Sequence, residues 1–110
     1  PHLQSEILNR MHDRIVQNFL DLAILLELRK RSLTDDDIID FAHKKFHILL
    51  NLGTVTSHLS ALEKDGLIKG EDSHGKTVYA LTERGKETII ELSSSKDKIL
   101  GLFLNLFISE

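Results

Sequence analysis

Cysteine is absent from the 110-residue chain, which excludes a disulfide framework, a thiolate nucleophile and any Cys-ligated zinc or iron–sulfur site. A reducing cytoplasm is the expected compartment. Proline occurs once, at the first position, and glycine six times, so few residues interrupt helical periodicity and a mainly α fold is expected. An excess of positive charge is lacking too. Lys and Arg number 14 against 17 Asp and Glu, a net charge of -3, so nucleic acid or an anionic membrane could be met only by a local patch. The uncharged, strongly apolar stretch Ile99 to Ser109 is too short for a membrane-spanning helix, and no basic-then-apolar leader opens the chain. A soluble protein with no membrane partner is expected. The chain also has no glycine-rich phosphate loop, no nucleophile elbow and no framed pair of acids, so neither an enzyme nor a cofactor is expected.

Of the residues present, 41% are hydrophobic, enough in a chain of this length for one domain over residues 1–110. Leu3, Ile7, Met11, Ile15, Phe19, Leu22 and Leu26 recur at steps of three or four, the spacing of one helix face. They predict an unbroken helix, central in the core, that runs to the cations Arg29, Lys30 and Arg31. Thr34 followed by Asp35, Asp36 and Asp37 is an N-cap with acids in the first turn. A second helix should start there, with Ile38, Ile39, Ala42 and Phe46 inward. Ile48, Leu49 and Leu50 suit a short strand, and Asn51 to Gly53 interrupt the pattern. From Thr54 a third helix is indicated by Val55, Leu59 and Leu62, closing at Gly66, where a left-handed residue costs glycine little. Beyond it, Leu67 and Ile68 start an extended segment. Asp72-Ser73-His74-Gly75 is rich in turn formers, and Val78 and Ala80 alternate with Thr77 and Tyr79, the signature of a β-hairpin. Thr82 should cap a fourth helix, which Ser93-Ser94-Ser95 would divide in two.

Helix, helix, short strand, helix and hairpin is the order of a winged helix-turn-helix, whose third helix enters the major groove while the hairpin touches flanking backbone. The run Gly53-Thr54-Val55-Thr56-Ser57-His58-Leu59-Ser60-Ala61-Leu62-Glu63-Lys64-Asp65-Gly66-Leu67-Ile68, followed by Gly75-Lys76-Thr77-Val78-Tyr79-Ala80-Leu81-Thr82-Glu83-Arg84-Gly85-Lys86, resembles the PadR family of transcriptional regulators. Leu20 to Leu25 resembles that family's first core helix. The expected architecture is mainly α with a small β-hairpin, a winged-helix core over 15–86 with N- and C-terminal dimerisation helices, the latter over 87–110; the resemblance implies that the C-terminal helix supplies the dimer contact. It also implies a homodimeric repressor that binds double-stranded DNA at an inverted-repeat operator. It allows a small-molecule effector and points to none. The family usually has Tyr and Pro where Thr56 and Ser57 stand, and tends to be basic at Ser60 and Ala61. Its usual Gly-Tyr near the start of the second helix is replaced by Asp35 to Asp37. MarR-type regulators share Leu-Glu-Lys-x-Gly-Leu-Ile and Leu-Thr-x-x-Gly, but their Asp-x-Arg wing signature is missing from Asp72 to Lys76.

A recognition helix at about 53–65 would present Thr56, Ser57, Ser60, Ala61 and Lys64 opposite its apolar face, with Thr54 at the edge. Small hydroxyls allow close approach to a groove and can bond base edges or phosphate; an ordinary solvated face is the competing reading. His74 and Lys76, in a wing at about 72–77, could reach backbone or minor groove, and Lys44 and Lys45 could hold phosphates. Residues 42–86 carry seven Lys or Arg against five Asp or Glu, the only positive third of the chain. His58 is expected to be half-buried and hydrogen-bonded, and Tyr79 to pack the wing. His43 and His47 have metal-like i, i+4 spacing, but no third ligand is apparent and no metal is expected. In the last helix Ile89, Leu92, Ile99, Phe103 and Leu106, widened by Leu100 and Phe107, form a seam suited to a two-fold interface. The competing readings are an intramolecular core helix and, for the whole fold, a protein-interaction module with little affinity for DNA.

Overall fold

A computed structural model describes residues 2–108, apart from the side chains of His2, Leu3, Asn18 and Ile108; the expectations for Leu3 therefore lie outside the described residues. The elements in chain order are α1 (His2–Asn18), α2 (Leu20–Leu28), α3 (Asp35–Phe46), α4 (Leu52–Lys64), β1 (Ile68–Ser73), β2 (Lys76–Leu81), α5 (Glu83–Ser94) and α6 (Lys96–Ile108). The expected single N-terminal helix is in fact two. Phe19 leaves helical geometry at φ -105°, ψ 10° with no glycine or proline to cause it, and its ring lies against that of Phe103 of α6, tilted by 51° at 5.3 Å between centroids. The break coincides with this long-range contact, which a periodic pattern does not show. It also splits the burial. Leu20, Ile24, Leu25 and Leu28 of α2 lie in the core, whereas Ile7, Met11 and Ile15 of α1 are exposed, Met11 by 55%.

Around α2 pack Leu33, Ile38 and Ala42, then Val55, Leu59 and Leu62 of α4, Ile68 of β1 and Ile89 of α5. No polar side chain is buried among them. The radius of gyration is 15.7 Å, against about 13 Å for a close-packed chain of this length, as expected when the terminal helices project from the core.

Thr34 caps α3 as its sequence context predicts. Its hydroxyl accepts from the Asp37 N–H at 3.1 Å, and the Asp37 carboxylate accepts from the Thr34 N–H at 2.9 Å, a reciprocal capping box. That backbone hydrogen bond, ahead of the hydroxyl contact, holds the Asp37 carboxyl below the ordinary aspartate value of 3.8. A depressed carboxyl stabilises the fold above its unfolded pKa, and the contribution is lost as pH falls through the lower folded one. Asp37→Asn is therefore expected to lose about 1 kcal/mol at neutral pH and to show a shallower fall in stability below about pH 4 than the parent, read from urea unfolding. Equal acid sensitivity in both would remove Asp37 from the acid response.

Residues 48–50 are not the short strand expected of them. Ile48 and Leu50 plug the core while Leu49 between them is 82% exposed, so the alternation is real but the backbone pairs with no strand. The free side of β2 is taken instead by Leu33, which exchanges hydrogen bonds with Tyr79 in both directions at 3.0 and 2.8 Å. On its other side β2 pairs antiparallel with β1, from Ile68 opposite Leu81 to Ser73 opposite Lys76. His74 and Gly75 both have positive φ, 51° and 80°, as the two-residue turn between twisted strands requires. Helix α4 begins two residues earlier than expected, because Asn51 is its cap: the Asn51 side-chain oxygen accepts from the Thr54 N–H at 2.7 Å. Beyond the hairpin Thr82 caps α5 by accepting from the Gly85 N–H, and the chain divides at Ser95 as expected.

Candidate nucleic-acid interface

Helices α3 and α4 are joined through residues 47–51, and His47 closes α3 in the left-handed region at φ 57°. His47 has thus left the helix, so the i, i+4 face that would pair it with exposed His43 does not form. With Val55, Leu59 and Leu62 buried, α4 exposes Thr56, Ser57, Ser60, Ala61 and Lys64, with Thr54 half-buried beside them. These are the residues that the wheel placed outward.

Several polar groups of α4 are already engaged inside the protein. The Thr56 hydroxyl donates to the Leu52 carbonyl at 2.8 Å. His58 Nδ1 lies 2.6 Å from Asp21 Oδ1 and ties α4 to the first turn of α2. Glu63 accepts from the Gly70 N–H at 3.0 Å and ties α4 to β1. The half-buried, bonded His58 was expected; its partner, 37 residues away, was not. Nor was the Glu63 tether to the wing.

The cations expected at the interface are exposed, and two of them have acidic neighbours. Lys44 pairs with Asp40 at 3.0 Å, and Lys76 at the wing lies 3.6 Å from Asp36. Exposed pairs of this kind hold little free energy, so either ammonium can exchange its carboxylate for a phosphate. Lys45 lies 5.7 Å from the Phe41 ring centre and 5.8 Å from that of Phe46, within cation–π range. Lys64 has no ion-pair partner among the described residues. His74, at the tip, is exposed. Tyr79 packs between Leu33 and the core, and burial raises its phenol above the usual value, with Glu63, Asp35 and Asp72 adding to the effect.

The residues placed in the C-terminal seam divide. Ile89 is 2% exposed in the core of the single chain, which corrects its assignment to a surface seam: α5 must bury one face on α2, and Ile89 lies on it. Leu92, Ile99 and Phe103 are half-buried and line a cleft of about 520 Å³ with Leu22 and Leu26 of α2 and Arg29 just beyond its end. Leu100 is exposed, as are Leu106 and Phe107 at 74% and 77%. The seam expectation missed Leu102 and Leu104, also exposed, because α6 is apolar on every side. No helix among the described residues is long and apolar enough to cross a membrane.

Neither known family profiles nor curated proteins match the sequence, but solved structures do. A PadR family transcriptional regulator from Eggerthella lenta DSM 2243 superposes with a TM-score of 0.79 at 18% identity over 100% of both chains. A PadR family transcription regulator from Clostridium difficile R20291 gives 0.67 at 24% identity, over 82% of this chain and 98% of that one. Bacillus subtilis PadR in complex with operator DNA gives 0.59 at 26% identity, over 66% of this chain and 45% of that one. The MarR-type alternative is not needed to account for the similarity. In fold, this chain is a winged helix of the PadR type.

Proposed function

We propose that this chain is a homodimeric, sequence-specific DNA-binding regulator of transcription, a repressor by occupancy of its operator, and not an enzyme. In this reading residues 15–86 form the winged-helix core and 87–110 the dimerisation helix. Helix α4 lies in the major groove, with the wing on flanking backbone. The observation that carries it is the superposition of this winged helix on a PadR solved with operator DNA, with α4 presenting an exposed polar face. Support for the dimer comes from the apolar side chains of α1 and α6, which one copy of the chain leaves uncovered. A second copy related by a two-fold axis covers both sets, and its two α4 helices then address an inverted repeat.

Selection of sites from a random duplex pool with the purified protein tests this directly. Enrichment of an inverted repeat is expected; a folded dimer that enriches nothing counts against the reading. Lys64→Glu and Lys76→Glu should each weaken binding and lower the slope of log affinity against log salt by roughly one. Unchanged affinity and slope would remove these contacts.

A second reading, a winged helix that holds a protein partner, is favoured by the net charge of -3 and by the acids beside Lys44 and Lys76. Duplex binding that survives about 150 mM salt separates the two, because contacts made only to phosphate are much weakened there.

A further inference from the structure

Base recognition in the major groove rests mainly on side chains that offer two hydrogen-bonding atoms at once, Arg to guanine and Asn or Gln to adenine. Helix α4, Leu52–Lys64, contains no Arg, Asn or Gln. Its cap Asn51 has its carbonyl oxygen taken by the Thr54 N–H, Thr56 has given its only proton to the Leu52 carbonyl, His58 is held by Asp21, and Glu63 is held by Gly70. No side chain on the helix is left with a free pair of atoms of the kind that grips a purine. The groups that remain free on the exposed face are the Ser57 and Ser60 hydroxyls, the Lys64 ammonium, and the methyl groups of Ala61 and Thr56; Thr54, half-buried at the edge, keeps a free hydroxyl and a methyl as well.

A hydroxyl serves base edges of either kind, and an ammonium on a flexible stem is a point charge, so these groups discriminate little among base pairs. Methyl groups do discriminate. Thymine alone among the four bases carries a C5 methyl in the major groove, and Ala or the methyl of Thr meets it by apolar contact. We propose that α4 reads its half-site through thymine methyl groups contacted by Ala61 and Thr56, while Ser57, Ser60 and Lys64 hold the register. The inference rests on the DNA-binding reading above and names the chemical feature of the duplex that the helix recognises. Thr56 suits this role because the bond to Leu52 fixes its hydroxyl and leaves the methyl and spent oxygen on an exposed side chain.

The test uses the purified protein and the duplex enriched from the random pool, with each thymine replaced in turn by deoxyuracil, which removes the methyl and nothing else. Loss of affinity by about three- to tenfold is expected at one or two positions per half-site and none elsewhere. Thr56→Ser keeps the hydroxyl and its bond to Leu52, and Ala61→Ser keeps a small side chain. Each should abolish the deoxyuracil effect at one position while leaving the others. Equal affinity for the thymine and deoxyuracil duplexes at every position, with binding retained, overturns methyl readout and leaves the DNA-binding reading intact. Variants that keep the full deoxyuracil response overturn the assignment to Thr56 and Ala61. Absence of binding to any duplex by a folded dimer overturns both.

Discussion

Leu106→Asp combined with Phe107→Asp is expected to convert the protein to a monomer and to weaken operator binding by at least about a hundredfold, since two linked half-sites gain that much over one. Both side chains are more than two-thirds exposed on the single chain, so neither supports its core. Covering a side chain of this size is worth about 1.5–3 kcal/mol, and an aspartate there would be buried without a partner. Light scattering should give a single-chain mass, with helix content and the hairpin largely retained. The affinity of the variant for one isolated half-site should stay close to that of the parent, which separates a lost dimer from a damaged reading helix. Removal of residues 98–110 should likewise give a monomer or an aggregate. A double variant that remains a dimer at micromolar concentration would place the interface away from the end of α6.

Gly85→Ala is expected to destabilise the chain by about 2–3 kcal/mol, although alanine is the better helix former by up to about 1 kcal/mol. A Cβ on Gly85 would lie 2.1 Å from the Leu67 carbonyl oxygen and 3.1 Å from Leu81 Cδ2. The carbonyl cannot simply give way. It accepts the Thr82 N–H at 3.1 Å, and the Thr82 hydroxyl in turn donates to Gly66 O at 2.6 Å. The start of α5 and the end of α4 are therefore joined by one small network, and moving Leu67 breaks it. Thermal unfolding should report a Tm lower by roughly 10–20 °C. A variant as stable as the parent would show that the junction can relax at no cost.

Much of this architecture is legible in the residues. Thr34 and Thr82 stand where hydroxyl caps stand, His74-Gly75 is a turn by composition, and Val55, Leu59 and Leu62 set the buried face of α4, which in turn sets its outer face. Short-range rules carry these because each depends on neighbours within four residues. Where the deciding contact lies far along the chain, the residues are silent. Nothing local to Phe19 ends a helix; Phe103, 84 positions on, completes the contact that goes with the break. Nothing local to Leu33 makes it the neighbour of Tyr79. Asn51 is a different case, since an asparagine before a helical run is a recognised cap signal and its side chain does cap α4, so the start of that helix is legible locally. At the interface the identity of the outward residues followed from periodicity, but whether their polar atoms are free did not. Thr56, His58 and Glu63 are committed to Leu52, Asp21 and Gly70, and a helical wheel shows none of these bonds.

From Ile99 to the end of α6 there is no charged side chain. Partner choice between helices is commonly enforced by repulsion between like charges or by stranded polar groups, and beyond Ile99 this surface supplies no charge and a single polar side chain, Asn105. In the proposed dimer, pairing through this surface would be governed by shape and apolar area and would be insensitive to salt even where DNA binding was steeply salt-dependent. In a cell that makes a second winged-helix protein with an equally bare terminal helix, nothing electrostatic would keep the two apart. Mixed dimers would form in proportion to abundance, and each would carry two unlike reading helices to an operator whose halves differ.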